Sequence, residues 1–202
     1  FKEGRDIHAT TASKVFKVPL EEVDANMRRK AKAVNFGLLY GMSAFGLSER
    51  LKVTRSEAKE IMEAYFEEFS AVKAYMDRII EQAHKDGYVE TITGRRRYLR
   101  DINSRNYTLR SYAERNAINA PIQGSAADLI KIAMIRIQEQ LQAGGYLTKM
   151  LLQVHDELVF DVFKPELDTV RKLIKTEMEQ AYSLSVPLIV DIGVGDNWLE
   201  AH

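Results

Sequence analysis

The sequence of 202 residues contains no cysteine, and this absence excludes several classes of protein. Without thiols there is no disulfide framework, no thiolate-bound metal and no cysteine nucleophile, so a small secreted disulfide scaffold is excluded. A reducing, cytoplasmic location is compatible with this composition and is the one that we expect. Proline (4) and glycine (11) are scarce, and we find neither a repeat nor a low-complexity stretch. The organisation of the chain is therefore interpreted from its hydrophobic periodicity.

Long apolar runs are missing as well. No segment approaches the roughly 20 apolar residues that a membrane-spanning helix needs, so we expect no membrane partner. The 29 basic residues balance the 29 acidic ones, but the two signs are unevenly distributed. Residues 153–202 carry 10 acidic and 4 basic side chains, a net charge of −6, whereas residues 1–152 carry +6. The two parts of the chain are expected to face different partners.

The hydrophobic periodicity predicts mostly helix in the first three quarters of the chain. The clearest signal is the capping box Thr54-Arg55-Ser56-Glu57, which is followed by apolar residues at helical spacing. Expected helices run over residues 8–16, from a cap at Asp24 or Asn26 to about Tyr40, over 55–85, over 126–141 and over 165–182.

Strand signals predict two hairpins. The first joins residues 88–92 to 95–98 through Thr93-Gly94, and the second joins 150–154 to 158–162. A last strand is expected over residues 187–192. These elements together predict an α+β fold that is mostly helical, with a small antiparallel sheet and two lobes.

The segment around the first hairpin is rich in arginine. Its cations are all Arg, with no Lys, which is unusual for an ordinary solvated face. We therefore expect this stretch to face an anion such as phosphate. The arginines are Arg95, Arg96, Arg97, Arg100, Arg105, Arg110 and Arg115.

Arg28, Lys32, Phe36 and Tyr40 follow one another at intervals of four residues in the second predicted helix. At 3.6 residues per turn, this spacing places them along one gently winding face. Cations one turn apart repel unless an anion lies between them, and a nucleoside triphosphate offers such an anion with a base and sugar for the aromatic rings. In the other interpretation, Phe36 and Tyr40 are core residues and the cations border an ordinary amphipathic helix. Spacing alone favours this second interpretation.

His155, Asp156 and Glu157 separate the two strands of the second predicted hairpin. A carboxylate at such a turn is rigid and partly exposed, and it suits a hard divalent cation such as Mg²⁺. The other interpretation is that turns simply favour Asp and Glu. A zinc hydrolase is not expected, because the four histidines form no H-E-x-x-H pair.

Four segments resemble, in order, motifs of the family A DNA polymerases. They are residues 28–41 (RRKAKAVNFGLLYG), 94–98 (GRRRY), 119–128 (NAPIQGSAAD) and 153–157 (QVHDE). The first is similar to the fingers-helix motif and the last to the palm hairpin motif. The resemblance covers the whole chain and implies a C-terminal fragment, with a fingers subdomain over about residues 1–115 and part of the palm over 116–202.

The resemblance implies template-directed DNA synthesis, in which a nucleotidyl group passes from a dNTP to a primer 3′-hydroxyl by a two-metal mechanism. Arg28 and Lys32 would hold the phosphates of the incoming dNTP, with His8 nearby. Phe36 would pack on its sugar and base. Tyr40 would occupy or guard the template-base position at the end of the helix.

The same resemblance implies contacts with primer–template DNA and with metal. Arg115, Asn119 and Gln123 would contact the duplex through sugars, phosphates and minor-groove acceptors. Asp156 would coordinate Mg²⁺, with Glu157 and His155 in support. Lys32, Asp156 and Glu157 are the implied catalytic residues, and His155 is counted with the DNA-binding residues.

One part of the family's metal site has no counterpart here. The other catalytic Asp of the family belongs to an upstream strand motif, D-Y-S-x-I-E-L-R, that does not occur in this sequence. We therefore expect little or no polymerase activity from these residues alone, and self-association through an uncovered strand edge. The alternatives are a non-catalytic DNA- or nucleotide-binding module and a plain helical interaction domain.

Overall fold

The computed structural model describes residues 4–201, which form an α+β fold dominated by helices. Its helices are α1 (Ile7–Phe16), α2 (Ala25–Leu39), α3 (Ala44–Leu51), α4 (Arg55–Glu68), α5 (Ser70–Asp86), α6 (Tyr107–Ala143), α7 (Leu167–Glu179) and α8 (Trp198–Ala201). Its strands are β1 (Tyr88–Glu90), β2 (Arg96–Tyr98), β3 (Lys149–Val154) and β4 (Glu157–Asp161), and short 3-10 helices cover Leu20–Glu22 and Lys164–Glu166. Among the residues described, no helix combines the length and the apolar character that crossing a membrane requires.

The chain divides into two compact units, one extending to Ser125 and the other beginning at Ala126. The division falls within α6, so that this helix contributes residues to both units. The assignment of residues 1–115 to fingers and of 116–202 to palm stays a prediction.

The first unit is built on α1 to α4. Val34 and Leu38 of α2 are buried with Leu47 of α3 and Tyr65 of α4 in one apolar cluster. The helix starts are fixed locally, because Asp24 accepts the Met27 N–H at the start of α2 and Thr54 forms both hydrogen bonds of a capping box with Glu57. Each such cap stabilises its helix by about 1 kcal/mol.

The β1–β2 hairpin of the first unit packs on α6. The backbone N–H of Ile92 donates to Oγ of Ser125 at 2.9 Å, and Arg95 donates to the carbonyl oxygen of Gly124 at 3.2 Å. A Cβ at Gly124 would lie 2.6 Å from Cγ2 of Thr91. Only glycine at position 124 therefore permits this close approach of the hairpin to the helix. These contacts give Gly124 and Ser125 of the 119–128 motif a structural role.

The second unit is built on the β3–β4 hairpin, the end of α6 and α7. The strands are antiparallel, with an irregularity between Met150 and Leu152 and a two-residue turn between Val154 and Glu157. Ile137 of α6 and Val170 of α7 are buried at the centre of this unit.

Most sequence-based elements are confirmed, and four are wrong in extent or kind. The predicted helix 55–85 is two helices, because Phe69 leaves the helical conformation (φ −108°, ψ 52°). The helix expected over 126–141 begins earlier, at Tyr107, and continues through Pro121. The helix expected over 165–182 begins as a 3-10 turn and ends at Glu179.

The strand expected over residues 187–192 does not form. Ile189 in this segment is 74% exposed, so its apolar residues are not held against a sheet as a strand would need. Strand pairing in the second unit, among the described residues, is limited to β3 and β4.

Candidate functional site

The four residues at intervals of four in α2 share an exposed face. Phe36 is 45% and Tyr40 is 38% exposed, and the side chains of Arg28 and Lys32 are exposed as well. The opposite face carries the buried apolar residues of the helix, among them Val34. The interpretation of Phe36 and Tyr40 as core residues is therefore wrong. Two cations and two large rings instead line one accessible face.

His8 of α1 extends the aromatic part of this face. Its ring centroid lies 5.8 Å from that of Phe36, and the Phe36 ring lies 6.3 Å from that of Tyr40, both pairs tilted. The packing of α1 on α2 through buried Ala12 and Val15 brings His8 to this position. The structure thus joins all five residues implied for nucleotide binding into one surface, which we call the α2 face: His8, Arg28, Lys32, Phe36 and Tyr40.

Asp6 ties the α2 face to the start of α1. It caps α1 by accepting hydrogen bonds from the backbone N–H groups of His8 (2.9 Å) and Ala9 (3.1 Å), and its Oδ2 accepts from Nε of Arg28 at 2.6 Å. The hydrogen bond from Arg28 is the main cause that lowers the pKa of the Asp6 carboxyl below its ordinary value. Asp6 therefore stays ionised and holds Arg28 in place.

The environment of His8 favours its neutral form. Burial is the main cause that lowers the pKa of its imidazole, and the charges of Arg28 and Lys32 lower it further while Asp6 opposes them. A neutral ring donates through one nitrogen and accepts through the other. The face therefore combines two cations with a neutral His, a set that suits a polyanionic ligand.

Two of the four residues expected to contact DNA lie against the end of α2. Nδ2 of Asn119 is 3.5 Å from the carbonyl oxygen of Tyr40, and a Cβ at Gly41 (φ 73°) would lie 3.1 Å from Cγ of Arg115. The Oδ1 atom of Asn119 is buried and has no hydrogen-bond partner among the described residues. Gln123 is exposed on α6, the helix that also carries Arg115 and Asn119. Their contacts with DNA stay predictions.

Three arginines of the arginine-rich segment have protein partners. Arg95 donates to the carbonyl oxygen of Gly124, Arg96 pairs with Glu90 at 2.8 Å, and Arg110 donates to the carbonyl oxygen of Ser104 at 3.0 Å. These three arginines thus have structural contacts within the protein, although the sequence predicts that the segment faces an anion.

In the second unit, His155 and Asp156 form the two-residue turn of the β3–β4 hairpin. His155 adopts a left-handed conformation (φ 53°), and Nε2 of Gln153 donates to its carbonyl oxygen at 2.9 Å. Asp156 is exposed at the turn and Glu157 begins β4, half-buried. The hairpin thus holds Asp156 at a defined and accessible position, as the sequence predicts.

The residues present do not fit a complete two-ion site. Between residues 4 and 201 no three His, Asp or Glu side chains come together as a metal site would require. A hard cation such as Mg²⁺ needs several oxygen ligands, of which Asp156 is one. A two-ion centre therefore needs ligands in addition to those that this chain brings together.

Sequence reasoning missed Asp6, Thr11 and Asn35. Asp6 carried a detectable signal, since an Asp directly before a helix is a common N-cap. Asn35 and Thr11 are buried polar residues on the inner sides of α2 and α1, and periodicity gives no indication that they meet.

Comparisons with known proteins find similarity over the whole chain. A family model described as DNA polymerase family A matches residues 1–200. The chain is 57% identical to DNA polymerase I of Streptococcus pneumoniae serotype 4 over 202 residues, which are 100% of this chain and 23% of that protein. It is 52% identical to DNA polymerase I of Geobacillus stearothermophilus over 201 residues, again 100% of this chain and 23% of that protein.

A solved structure is similar over almost the whole chain. It is the POL domain of Pol1 from M. smegmatis in complex with DNA primer-template and dNTP, with a TM-score of 0.95 and 47% identity, and the match covers 99% of this chain and 35% of that one. The chain spans less than a quarter of the length of the curated relatives that it matches. It belongs to DNA polymerase family A.

Proposed function

We propose that this chain binds the incoming dNTP and supplies one metal-binding carboxylate during template-directed DNA synthesis. The observation that carries the proposal is the α2 face, where two cations, a neutral His and two exposed rings adjoin one another. In the M. smegmatis protein, the matched domain is in complex with DNA primer-template and dNTP. The bacterial origin of the relatives and the proposed use of DNA and dNTPs also support a cytoplasmic location.

Each residue of the α2 face has a separate task. Arg28 and Lys32 bind the triphosphate oxygens and neutralise charge that builds up on the departing pyrophosphate, which makes Lys32 a catalytic residue. Phe36 packs on the sugar and base. The resemblance to family A polymerases implies that Phe at this position, which lacks the hydroxyl of Tyr, disfavours dideoxynucleotides. Tyr40 guards the template-base position, and movement of α2 over a correctly paired nucleotide provides selectivity.

The DNA and the reacting hydroxyl are contacted by other residues. Arg115, Asn119 and Gln123 hold the primer–template duplex by sequence-independent contacts. Asp156, supported by Glu157 and His155, is one carboxylate ligand for Mg²⁺. When bound, Mg²⁺ supplies activation of the primer 3′-hydroxyl and charge stabilisation of the pyrophosphate. The remaining metal ligands come from outside these residues, so this chain alone is expected to have little or no polymerase activity.

Primer extension tests this proposal. The comparison uses the chain itself, a longer polypeptide that adds the family's upstream acidic strand and thumb, and that longer polypeptide with Asp156→Ala, all with Mg²⁺ and four dNTPs. We expect only the unmutated longer polypeptide to extend the primer, with Asp156→Ala lowering the rate by about a hundredfold or more. Asp161→Ala, at the other end of β4, is the matched control and should retain activity. Robust extension by the 202 residues alone would contradict the proposed division of the metal site.

A non-catalytic DNA- or nucleotide-binding module is the second candidate, favoured by the lack of a complete metal-ligand group in the described part of the chain. It predicts duplex binding with a steep salt dependence and no extension even by the longer polypeptide.

Self-association through the outer edges of the β3–β4 hairpin stays a prediction, and sedimentation at high concentration measures it.

A further inference from the structure

Asn35 and Thr11 are buried polar residues that the proposed function does not use. Asn35 is 6% exposed on the inner side of α2, and Thr11 is fully buried on α1. Burying an amide or a hydroxyl costs free energy unless its hydrogen bonds are satisfied, so these two side chains require hydrogen-bond partners inside the protein.

The two side chains form a chain of hydrogen bonds that ends at His8. Oγ1 of Thr11 donates to Oδ1 of Asn35 at 3.1 Å, sharing its proton with the carbonyl oxygen of Ile7 at 2.8 Å. Nδ2 of Asn35 lies 3.0 Å from Nδ1 of His8. A carboxamide oxygen only accepts and its nitrogen only donates. Because the shared proton of Thr11 is directed at Oδ1, this contact favours the orientation in which Asn35 presents its N–H to His8.

This orientation determines which ring nitrogen of His8 carries the proton. Nδ1 accepts from Asn35, so the neutral ring is protonated at Nε2, on the other side of the imidazole. No hydrogen bond to Nε2 forms within residues 4–201, and the ring belongs to the α2 face with Arg28 and Lys32. Phosphate oxygens are acceptors only. An Nε2–H group attracts them, whereas the opposite tautomer would present a lone pair to them.

We propose that Asn35, oriented by Thr11, is a positioning residue that holds His8 in the Nε2–H tautomer so that it donates a hydrogen bond to a phosphate group of the nucleotide. The identity of the ligand rests on the proposed function. The tautomer itself follows from the contacts among these three residues. Asn35 thus acts on the nucleotide only through His8.

Nitrogen NMR of the imidazole measures the tautomer without any ligand. In the chain labelled with ¹⁵N-histidine, the His8 signals are assigned by their absence from His8→Gln and recorded at about pH 8, where unperturbed histidine is neutral. We expect Nε2 to be protonated and Nδ1 to be the accepting nitrogen. A proton on Nδ1 would overturn the inference, whatever the protein binds.

Thr11→Val tests the selection step, because valine keeps the shape of threonine and removes only the hydroxyl. The amide of Asn35 then loses the group that orients it, and we expect the His8 signals to move toward a mixture of tautomers. Thr10→Val is the matched control: Thr10 is on the same helix and donates to the carbonyl oxygen of Asp6. It should leave the His8 signals unchanged. Unchanged signals in folded Thr11→Val would overturn the role of Thr11.

Affinity for dATP, measured by calorimetry, tests the link to phosphate. We expect Thr11→Val to weaken binding about three- to tenfold, and to weaken it no further when His8 is already Ala. An equal loss in the presence and absence of His8 would overturn the inference, because the hydroxyl would then act through the fold. If the wild-type chain binds no dATP while its ring carries the Nε2 proton, the proposed function and the donor role fail and the tautomer assignment stands.

Discussion

Asp6 and Arg28, 22 residues apart in the sequence, are joined by a 2.6 Å hydrogen bond between the Asp6 carboxylate and Nε of the guanidinium. The same carboxylate caps α1 directly before His8. One side chain therefore fixes a helix start and orients a cation of the α2 face. It also places a negative charge beside the position that we assign to a triphosphate, so Asp6 and the ligand compete for Arg28.

Asp6→Asn tests this competition. Asparagine still caps α1, but it releases Arg28 and removes a negative charge from the phosphate position, so we expect dATP to bind about two- to fivefold more tightly. Asp77→Asn, which alters an exposed pair with Lys73 on α5, is the control and should leave the affinity unchanged. Weaker binding by Asp6→Asn would show that Asp6 acts by orienting Arg28 rather than by competing for it.

The lowered pKa of His8 makes stability depend on pH. Its imidazole binds a proton less readily in the folded chain than in the unfolded chain, so folding is favoured above the unfolded pKa of about 6.5. This contribution is lost as the pH falls through the lower folded pKa. Urea unfolding between pH 8 and pH 5 should show wild type losing more stability than His8→Gln as the medium is acidified. If the free energy of unfolding of both proteins changes with pH in parallel, His8 is not the source of this pH dependence.

Gly41 is required where α2 ends against α6. Its φ of 73° is unfavourable for other residues, and a Cβ there would lie 3.1 Å from Cγ of Arg115. We expect Gly41→Ala to lower the free energy of unfolding by about 1 kcal/mol from the backbone and by about 1 kcal/mol more from displacing Arg115. Gly87→Ala has a matched φ of 76° with nothing within 4 Å, so it isolates the backbone effect. If denaturant unfolding shows that Gly41→Ala and Gly87→Ala lose the same free energy of unfolding, the contact with Arg115 does not contribute to the loss.

The contact between Gly124 and Thr91 fixes the β1–β2 hairpin on α6. Gly124→Ala should destabilise the chain by about 1–3 kcal/mol, because the new Cβ would lie 2.6 Å from Cγ2 of Thr91. Adding Thr91→Ser removes that methyl group and keeps the hydroxyl that accepts from the Arg95 N–H, so it should recover at least half of the loss. If Gly124→Ala costs as much in the serine background, the account of this contact is wrong.

Local signals explain why much of the fold is predictable from the sequence. The Asp24 cap, the Thr54–Glu57 capping box and the turns at Gly94 and His155 each act over a few residues, and each element that they delimit is found. The four-residue spacing likewise predicts the shared face of α2.

The rest depends on contacts between elements. Nothing in the spacing indicates that Phe36 and Tyr40 are exposed, since that follows from which face of α2 packs on α1 and α3. The break at Phe69 interrupts a continuous helical pattern, and the Phe69 side chain packs against the buried cluster that contains Val34 and Leu47, a contact between elements that the pattern does not show. Asn35 and His8 are likewise distant in sequence, and only the packing of two helices shows that they form a hydrogen bond.

Binding of dATP to a pair of lysine variants tests the central claim most directly. Lys32 lies on the α2 face, whereas Lys30 is on the same helix about 200° away around its axis. Substituting either by Ala removes the same charge. Calorimetric titration should show Lys32→Ala weakening dATP binding about tenfold or more, and Lys30→Ala changing it by less than about twofold. Equal weakening by both variants, or an unchanged affinity in Lys32→Ala, would contradict the assignment of the α2 face to the nucleotide phosphates.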